Sequence, residues 1–121
     1  YRGKTSQHHK TVAKVKNGRL KYVSFRWLGH CRDKGYVWGP MKTWWTDTPD
    51  GPIEQHGGRF TDEGKIRWHV PGERALIRSH LEGRISGKRI TGVQTAKVRV
   101  TKSNHGRDYC KSKVRWSARL R

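Results

Sequence analysis

Apolar and polar residues alternate along most of this chain. Residues 65–70 and 114–120 place apolar side chains at every second position, with basic, histidine or hydroxyl side chains between them. Residues 90–100 follow the same period, with Gly92 and Gln94 at two of the inward positions and Val93 at an outward one. This period of two is typical of strands buried on one face. Gly, Pro, Asn and Asp clusters separate these segments, which predicts roughly seven to nine short strands. The fold class predicted is all-β, an antiparallel β-sandwich of jelly-roll-like or immunoglobulin-like type.

The clearest turn signal is Asn17-Gly18, between apolar segments at 11–16 and 19–27. An Asn-Gly pair readily adopts the positive φ angles of a two-residue hairpin turn, so a β-hairpin is expected here. The apolar parity changes at Tyr22-Val23, which predicts a bulge or bend. The segment Leu28–Lys34 is interpreted as a loop.

The segment Glu73–Arg84 is compatible with a helix or a strand. Leu76, Ile77 and Leu81 lie at helical spacing, whereas Ala75, Ile77 and Leu81 share one face of a strand. The strand is favoured because the residues that follow have strong strand periodicity.

Two cysteines, Cys31 and Cys110, enclose much of the chain. Their separation matches neither a redox pair nor a paired-ligand zinc knuckle. A long-range disulfide is the simplest interpretation, and two independent buried thiols are the alternative. A disulfide would place the protein in an oxidising compartment, so we expect it to be secreted or extracellular.

The domain organisation follows from these segments. A single β-sandwich domain is predicted over residues 11–121, preceded by a flexible or exchanged N-terminal arm at residues 1–10. No apolar run is long enough for a membrane span, and Tyr1 opens no signal-peptide pattern.

The charge balance indicates the kind of partner. The chain has 28 Lys and Arg against 9 Asp and Glu, a formal net charge of +19. An anionic partner such as nucleic acid, an acidic polysaccharide or acidic lipid would relieve the self-repulsion. If the strands are neighbours, the outward positions form one anion-binding face. Its predicted members are Lys65, Arg67, Lys97, Arg99, Arg115, Arg119 and Arg121. The alternative is a solvated face that serves solubility only.

The tryptophans form a second candidate group. Trp44 and Trp45 are adjacent, and adjacent side chains of a regular strand point to opposite faces. At least one exposed aromatic contact is therefore predicted among Trp38, Trp44 and Trp45. Such a ring can stack on a sugar or base, contact another subunit, or cover the end of the sandwich. The inward parity of the remaining three predicts that Trp27, Trp68 and Trp116 belong to the core.

Catalytic and metal-binding patterns are weak. The seven histidines share no short spacing, so no metal site and no cofactor are predicted. No nucleophile elbow, phosphate-binding loop or zinc-protease motif occurs, and we expect no enzyme. A basic secreted ribonuclease is the weaker alternative, using His69 with Glu73 or His80 and with Arg67 beside them.

Several stretches resemble a loosely defined group of small secreted bacterial β-domains without established enzymatic activity. They are Tyr1-Arg2-Gly3-Lys4-Thr5-Ser6-Gln7, Val23-x-Phe25-x-Trp27 leading to Cys31, Gly83-x-Ile85-x-Gly87-x-x-Ile90-x-Gly92, and Cys110-x-Ser112-x-Val114-x-Trp116-x-Ala118-x-x-Arg121. The resemblance implies an exported β-sandwich whose paired cysteines tie an early loop to the last strand. It supplies no functional residues.

These observations predict a secreted, non-enzymatic domain that binds extracellular polyanions through a basic sheet face. The alternative is a self-assembling subunit of a fibre, pilus or shell, in which the N-terminal arm adds a strand to a neighbouring copy. Partners are therefore an anionic polymer, either nucleic acid or acidic polysaccharide, or copies of the same chain.

Overall fold

The computed structural model describes residues 1–32, 37–102 and 106–119, and within these ranges every regular element is a strand. The described ranges contain nine strands: β1 (Arg2–Thr5), β2 (Lys10–Lys16), β3 (Arg19–Cys31), β4 (Val37–Thr46), β5 (Glu54–His56), β6 (Arg59–Val70), β7 (Glu73–Ser86), β8 (Arg89–Lys102) and β9 (Gly106–Arg119). All pairings are antiparallel. The predicted all-β antiparallel class is confirmed.

The strands form one sheet in the order β4-β3-β2-β1-β9-β8-β7-β6-β5. Strand order follows chain order on each side of the β1–β9 pair, so the sheet consists of two meanders. This order differs from that of jelly-roll and immunoglobulin sheets, which interleave strands from distant parts of the chain. The end of β3 also pairs with β9, which folds one meander over the other.

The predicted hairpin and bulge both occur between β2 and β3. Asn17 and Gly18 have φ angles of 54° and 75°, as a two-residue turn of this kind requires. Lys14 pairs with Tyr22, but Val15 pairs with Leu20. Lys21 is therefore the extra residue of a bulge, next to the predicted position.

The ambiguous segment 73–84 is a strand. It lies within β7, which pairs along its length with β6 and β8. Ala75, Ile77 and Leu81 are buried, while Leu76 is partly exposed. Hydrogen bonding to two neighbouring strands outweighs the helical spacing.

The predicted loop Leu28–Lys34 is wrong for residues 28–31. β3 continues through Cys31 because His30 pairs with Val37 on one side and Lys111 on the other. Residues 33 and 34 lie outside the described residues. The resemblance implied a loop-to-strand bridge, whereas the predicted disulfide, Cys31–Cys110, joins two paired strands.

Of the segment predicted as an arm, residues 2–4 are paired on both sides within their own chain, and Thr5 is paired with β9. β1 lies between β2 and β9. The terminal ammonium of Tyr1 donates to the Ala13 carbonyl at 3.0 Å. The exposed residues of β1, Arg2 and Lys4, therefore lie opposite Arg119 and Ser117 of β9.

The core lies between the two meanders and is rich in aromatic rings. Phe25 and Phe60 each have their ring centroids 6.0 Å from Trp116. Gly83 and Gly92 face each other on neighbouring strands, and a Cβ on either would overlap the Phe60 or Trp116 ring. The paired glycines therefore allow these rings to lie flat against the sheet.

The predicted core position of Trp68 is wrong. Its side chain is 36% exposed, and Ile66 on the same face is 39% exposed. In the described chain no strand pairs with the outer edge of β6 beyond Thr61, so residues 62–70, nine of the twelve residues of β6, are covered on one edge only. Trp68 instead packs edge-on against Trp38 with centroids 6.1 Å apart.

Candidate polyanion-binding face

The outward face of β6–β9 carries a line of cations that crosses four strands. We call it the basic row: Lys65 on β6, Arg78 on β7, Lys97 on β8 and Lys111 on β9. Each is exposed and stands directly opposite the next in the antiparallel register. Neighbouring strands are about 4.8 Å apart, so the row spans roughly 14 Å.

Alternation along the strands puts these side chains outward. The residues flanking Lys97, Ala96 and Val98, are buried, and so is Ile77 beside Arg78. Burial of the inner positions fixes the register, because a slip of one residue would move the cations into the core.

A second line that contains cations lies two residues along each strand, on the same face. Arg67 and Arg99 belong to it, with Leu76 and Tyr109 at the alternating places. The structure therefore brings together four of the seven residues predicted from sequence, Lys65, Arg67, Lys97 and Arg99.

The other predicted cations lie further along β9. Arg115 and Arg119 are four and eight residues from Lys111, which corresponds to about 14 Å and about 27 Å along a strand. Both are exposed on the same face, opposite Val93 and Arg89. Arg121 lies outside the described residues.

Sequence reasoning missed Arg78, Lys111 and Lys113. Arg78 lies in the segment that fitted both a helix and a strand, so its face was not assigned. Lys111 and Lys113 precede Val114, where the last strand was predicted to begin. The signal was present, since Cys110, Ser112 and Val114 alternate with these lysines and are buried.

A histidine held between two carboxylates lies beside the basic row. His80 Nδ1 is hydrogen bonded to Glu63 Oε1, and His80 Nε2 is 3.7 Å from Glu82 Oε2. The Glu63 hydrogen bond is the main cause that raises the pKa of His80 above its ordinary value, against an opposing effect of desolvation. The two carboxylates therefore favour the protonated form of His80.

We expect Glu63→Gln to lower the pKa of His80, because the variant removes the main charged partner. An NMR titration of the His80 ring protons measures the change, with Glu54→Gln as a control at an exposed carboxylate. Since the folded pKa of His80 is raised, the interaction stabilises the fold below the unfolded pKa. That stability is lost as pH rises through the folded pKa. An unchanged His80 midpoint in Glu63→Gln would contradict this assignment.

The three tryptophans predicted as aromatic contacts differ in exposure. Trp44 is 57% exposed, with Lys42 Nζ 5.4 Å from its ring centroid. Trp38 and Trp45 are buried, and Trp45 Nε1 donates to Gln94 Oε1 at 2.8 Å. Trp44 lies on β4, in the other meander from the basic row.

The residues considered for ribonuclease chemistry do not converge. His69 pairs with Arg74 and Glu73 with Val70, so His69 and Glu73 point to opposite faces. Arg74 lies opposite His69, and His80 is six residues further along β7. His80 is therefore about 20 Å along the strand from the position of His69. Arg67 shares the face of His69, but neither proposed partner of His69 lies beside it.

Comparisons with protein-family models, curated proteins and solved structures find no match to this chain. The resemblance to secreted bacterial β-domains therefore stays a prediction. In the described ranges no group of three or more His, Cys, Asp and Glu residues is placed to hold a metal ion. The same ranges include no helix with the length and apolar character needed to cross a membrane.

Proposed function

We propose that this protein binds linear polyanions on the outer face of β6–β9. The basic row is the observation that carries the proposal, because it places four cations directly opposite one another across adjacent strands. Like charges in such positions destabilise a sheet. A bound polyanion would offset that repulsion, so relief of the repulsion would add to the free energy of binding.

The chemistry of the face suits a repeating anion. Arg78, Arg67 and Arg99 can each donate a pair of hydrogen bonds to a phosphate, sulfate or carboxylate, whereas the lysines act as point charges. Binding of this kind is largely independent of sequence and is weakened by salt.

We propose further that the protein works outside the cell. Its two cysteines are joined, and disulfides persist mainly in oxidising compartments. Acidic polysaccharides and released nucleic acid are the polyanions considered there.

The test compares affinities for heparin and duplex DNA over a range of salt concentrations. One triple variant, which combines Arg78→Gln, Lys97→Gln and Lys111→Gln, removes three charges from the basic row. Its matched control, Lys14→Gln, Lys16→Gln, Arg26→Gln, removes one arginine and two lysines that are exposed on β2 and β3. We expect the row variant to bind at least about tenfold more weakly and its DNA salt slope to fall by up to about 2.7, or about 0.9 per lost contact.

The control variant should lose much less affinity than the row variant. An equal loss in both would mean that net charge, and not the arrangement on β6–β9, drives binding. No salt-sensitive binding to either polymer by the unmodified protein would remove the proposal itself.

A second candidate function is assembly into a fibre, pilus or shell. The observation that favours it is the outer edge of β6 from Asp62 to Val70, which pairs with no strand of the described chain. Such an edge can accept a strand from another copy. Donation of the N-terminal segment would require β1 to leave its own sheet. Sedimentation velocity tests this second function. If the protein assembles, large particles are expected even at low protein concentration.

A further inference from the structure

A concave site lies apart from the basic row, at the other end of the same strands. It is a groove of about 920 Å³ on the outer face, lined by residues from β1 and from β5 to β9. We call it the cross-strand groove. We propose that this groove binds an acidic polysaccharide bearing carboxylate or sulfate groups. This inference rests on the proposed function and names the class of polyanion.

The groove follows a row of residues that face one another across five strands. The row consists of Lys4, Ser117, Thr91, Arg84 and Arg59. Its short hydroxyl side chains lie in the middle and its long cations towards the ends, which gives a hollow about 19 Å long. Each cation can reach an anionic group on a polymer lying over the hydroxyls.

The groove differs from the four cations of the basic row because its own lining includes carboxylates, of which Glu82 also lies 3.7 Å from His80. Glu54 and Glu82 line it together with the cations Arg89 and Arg115. A sugar chain can donate its hydroxyls to these carboxylates while its acidic groups accept from the arginines. A DNA backbone has no donor for Glu54 or Glu82, and its phosphates would be repelled by them.

The aromatic residues of the groove disfavour single-stranded nucleic acid as its ligand. Phe60 and Trp116 belong to the groove lining, but they are only 2% and 3% exposed because their rings pack in the core. Single-stranded nucleic acids bind through exposed aromatic faces on which bases stack. Among the described lining residues no Phe, Tyr or Trp ring is exposed.

The deciding experiment removes the carboxylates. We expect Glu54→Gln, Glu82→Gln to bind a short heparin oligosaccharide at least about tenfold more weakly, since hydrogen bonds to charged groups are lost. The same variant should bind a DNA duplex equally well or more tightly, because its net charge is more positive. Asp50→Asn, Glu73→Gln makes the same charge change outside the groove and should not weaken oligosaccharide binding.

A second variant and a mapping measurement separate failure of this inference from failure of the proposed function. Arg59→Gln, Arg84→Gln should weaken oligosaccharide binding, and the oligosaccharide should shift the amide NMR signals of Thr91 and Ser117 in the unmodified protein. Tighter oligosaccharide binding by the carboxylate variant, or unshifted Thr91 and Ser117 amides, overturns the groove assignment. If the basic-row variant still loses affinity in that case, the proposed function stands without the groove.

Discussion

Reduction of the Cys31–Cys110 disulfide is expected to lower the free energy of unfolding by about 4.5 kcal/mol, from the loop entropy of cysteines 79 residues apart. The bridge limits the unfolded chain over most of its length. A loss of this size is a large part of the stability of a small domain, and it corresponds to a fall in Tm of roughly 10–20 °C. Thermal melts followed by circular dichroism, with and without a reductant, measure it.

The disulfide lies at the short pairing between the end of β3 and β9. β1 separates β2 from β9, yet β3 reaches β9 directly at His30 and Cys31. The disulfide closes the sheet at this short pairing. The variant Cys31→Ala, Cys110→Ala should melt close to the reduced protein and should not respond to reductant. An unchanged melting curve on complete reduction would contradict the expected contribution.

The alternation of side chains predicted the inner and outer faces of most strands, because burial of one face is recorded directly in the residue order. It identified Lys97 and Arg99 as outward-facing. It did not identify Arg78, since β7 has apolar residues at helical as well as strand spacing. Only its pairing with β6 and β8 removes that ambiguity.

Features that depend on pairings between the chain ends were beyond the sequence pattern. Lys4 reaches the cross-strand groove because β1 pairs with β9, and residues 2–5 are too few to show a periodicity of their own. Trp68 has inward parity, but parity does not reveal that most of β6 lacks a second neighbouring strand in the described chain. Local alternation therefore predicted which side chains point inward or outward within a strand. Which cations lie next to one another depends on the order and register of the strands.

Replacement of Trp27 by alanine is expected to lower the free energy of unfolding by about 3–5 kcal/mol, the range for deleting a large buried aromatic side chain. Trp27 is 1% exposed, and its ring centroid lies 5.6 Å from that of Trp38. Its indole N–H donates to Thr43 Oγ1, which is itself buried. The substitution removes packing against the second tryptophan and leaves the hydroxyl without this donor.

Trp44→Ala is the matched control, since it deletes the same side chain from a neighbouring strand where 57% of it is exposed. We expect its free energy of unfolding to change by no more than about 0.5 kcal/mol, as for most surface substitutions. Denaturant unfolding of both variants gives the comparison. Trp27→Phe should fall between them, because it keeps an aromatic ring but loses the donor to Thr43. Equal losses for Trp27→Ala and Trp44→Ala would contradict the assignment of Trp27 to the core and Trp44 to the surface, and with it the register of β3 against β4.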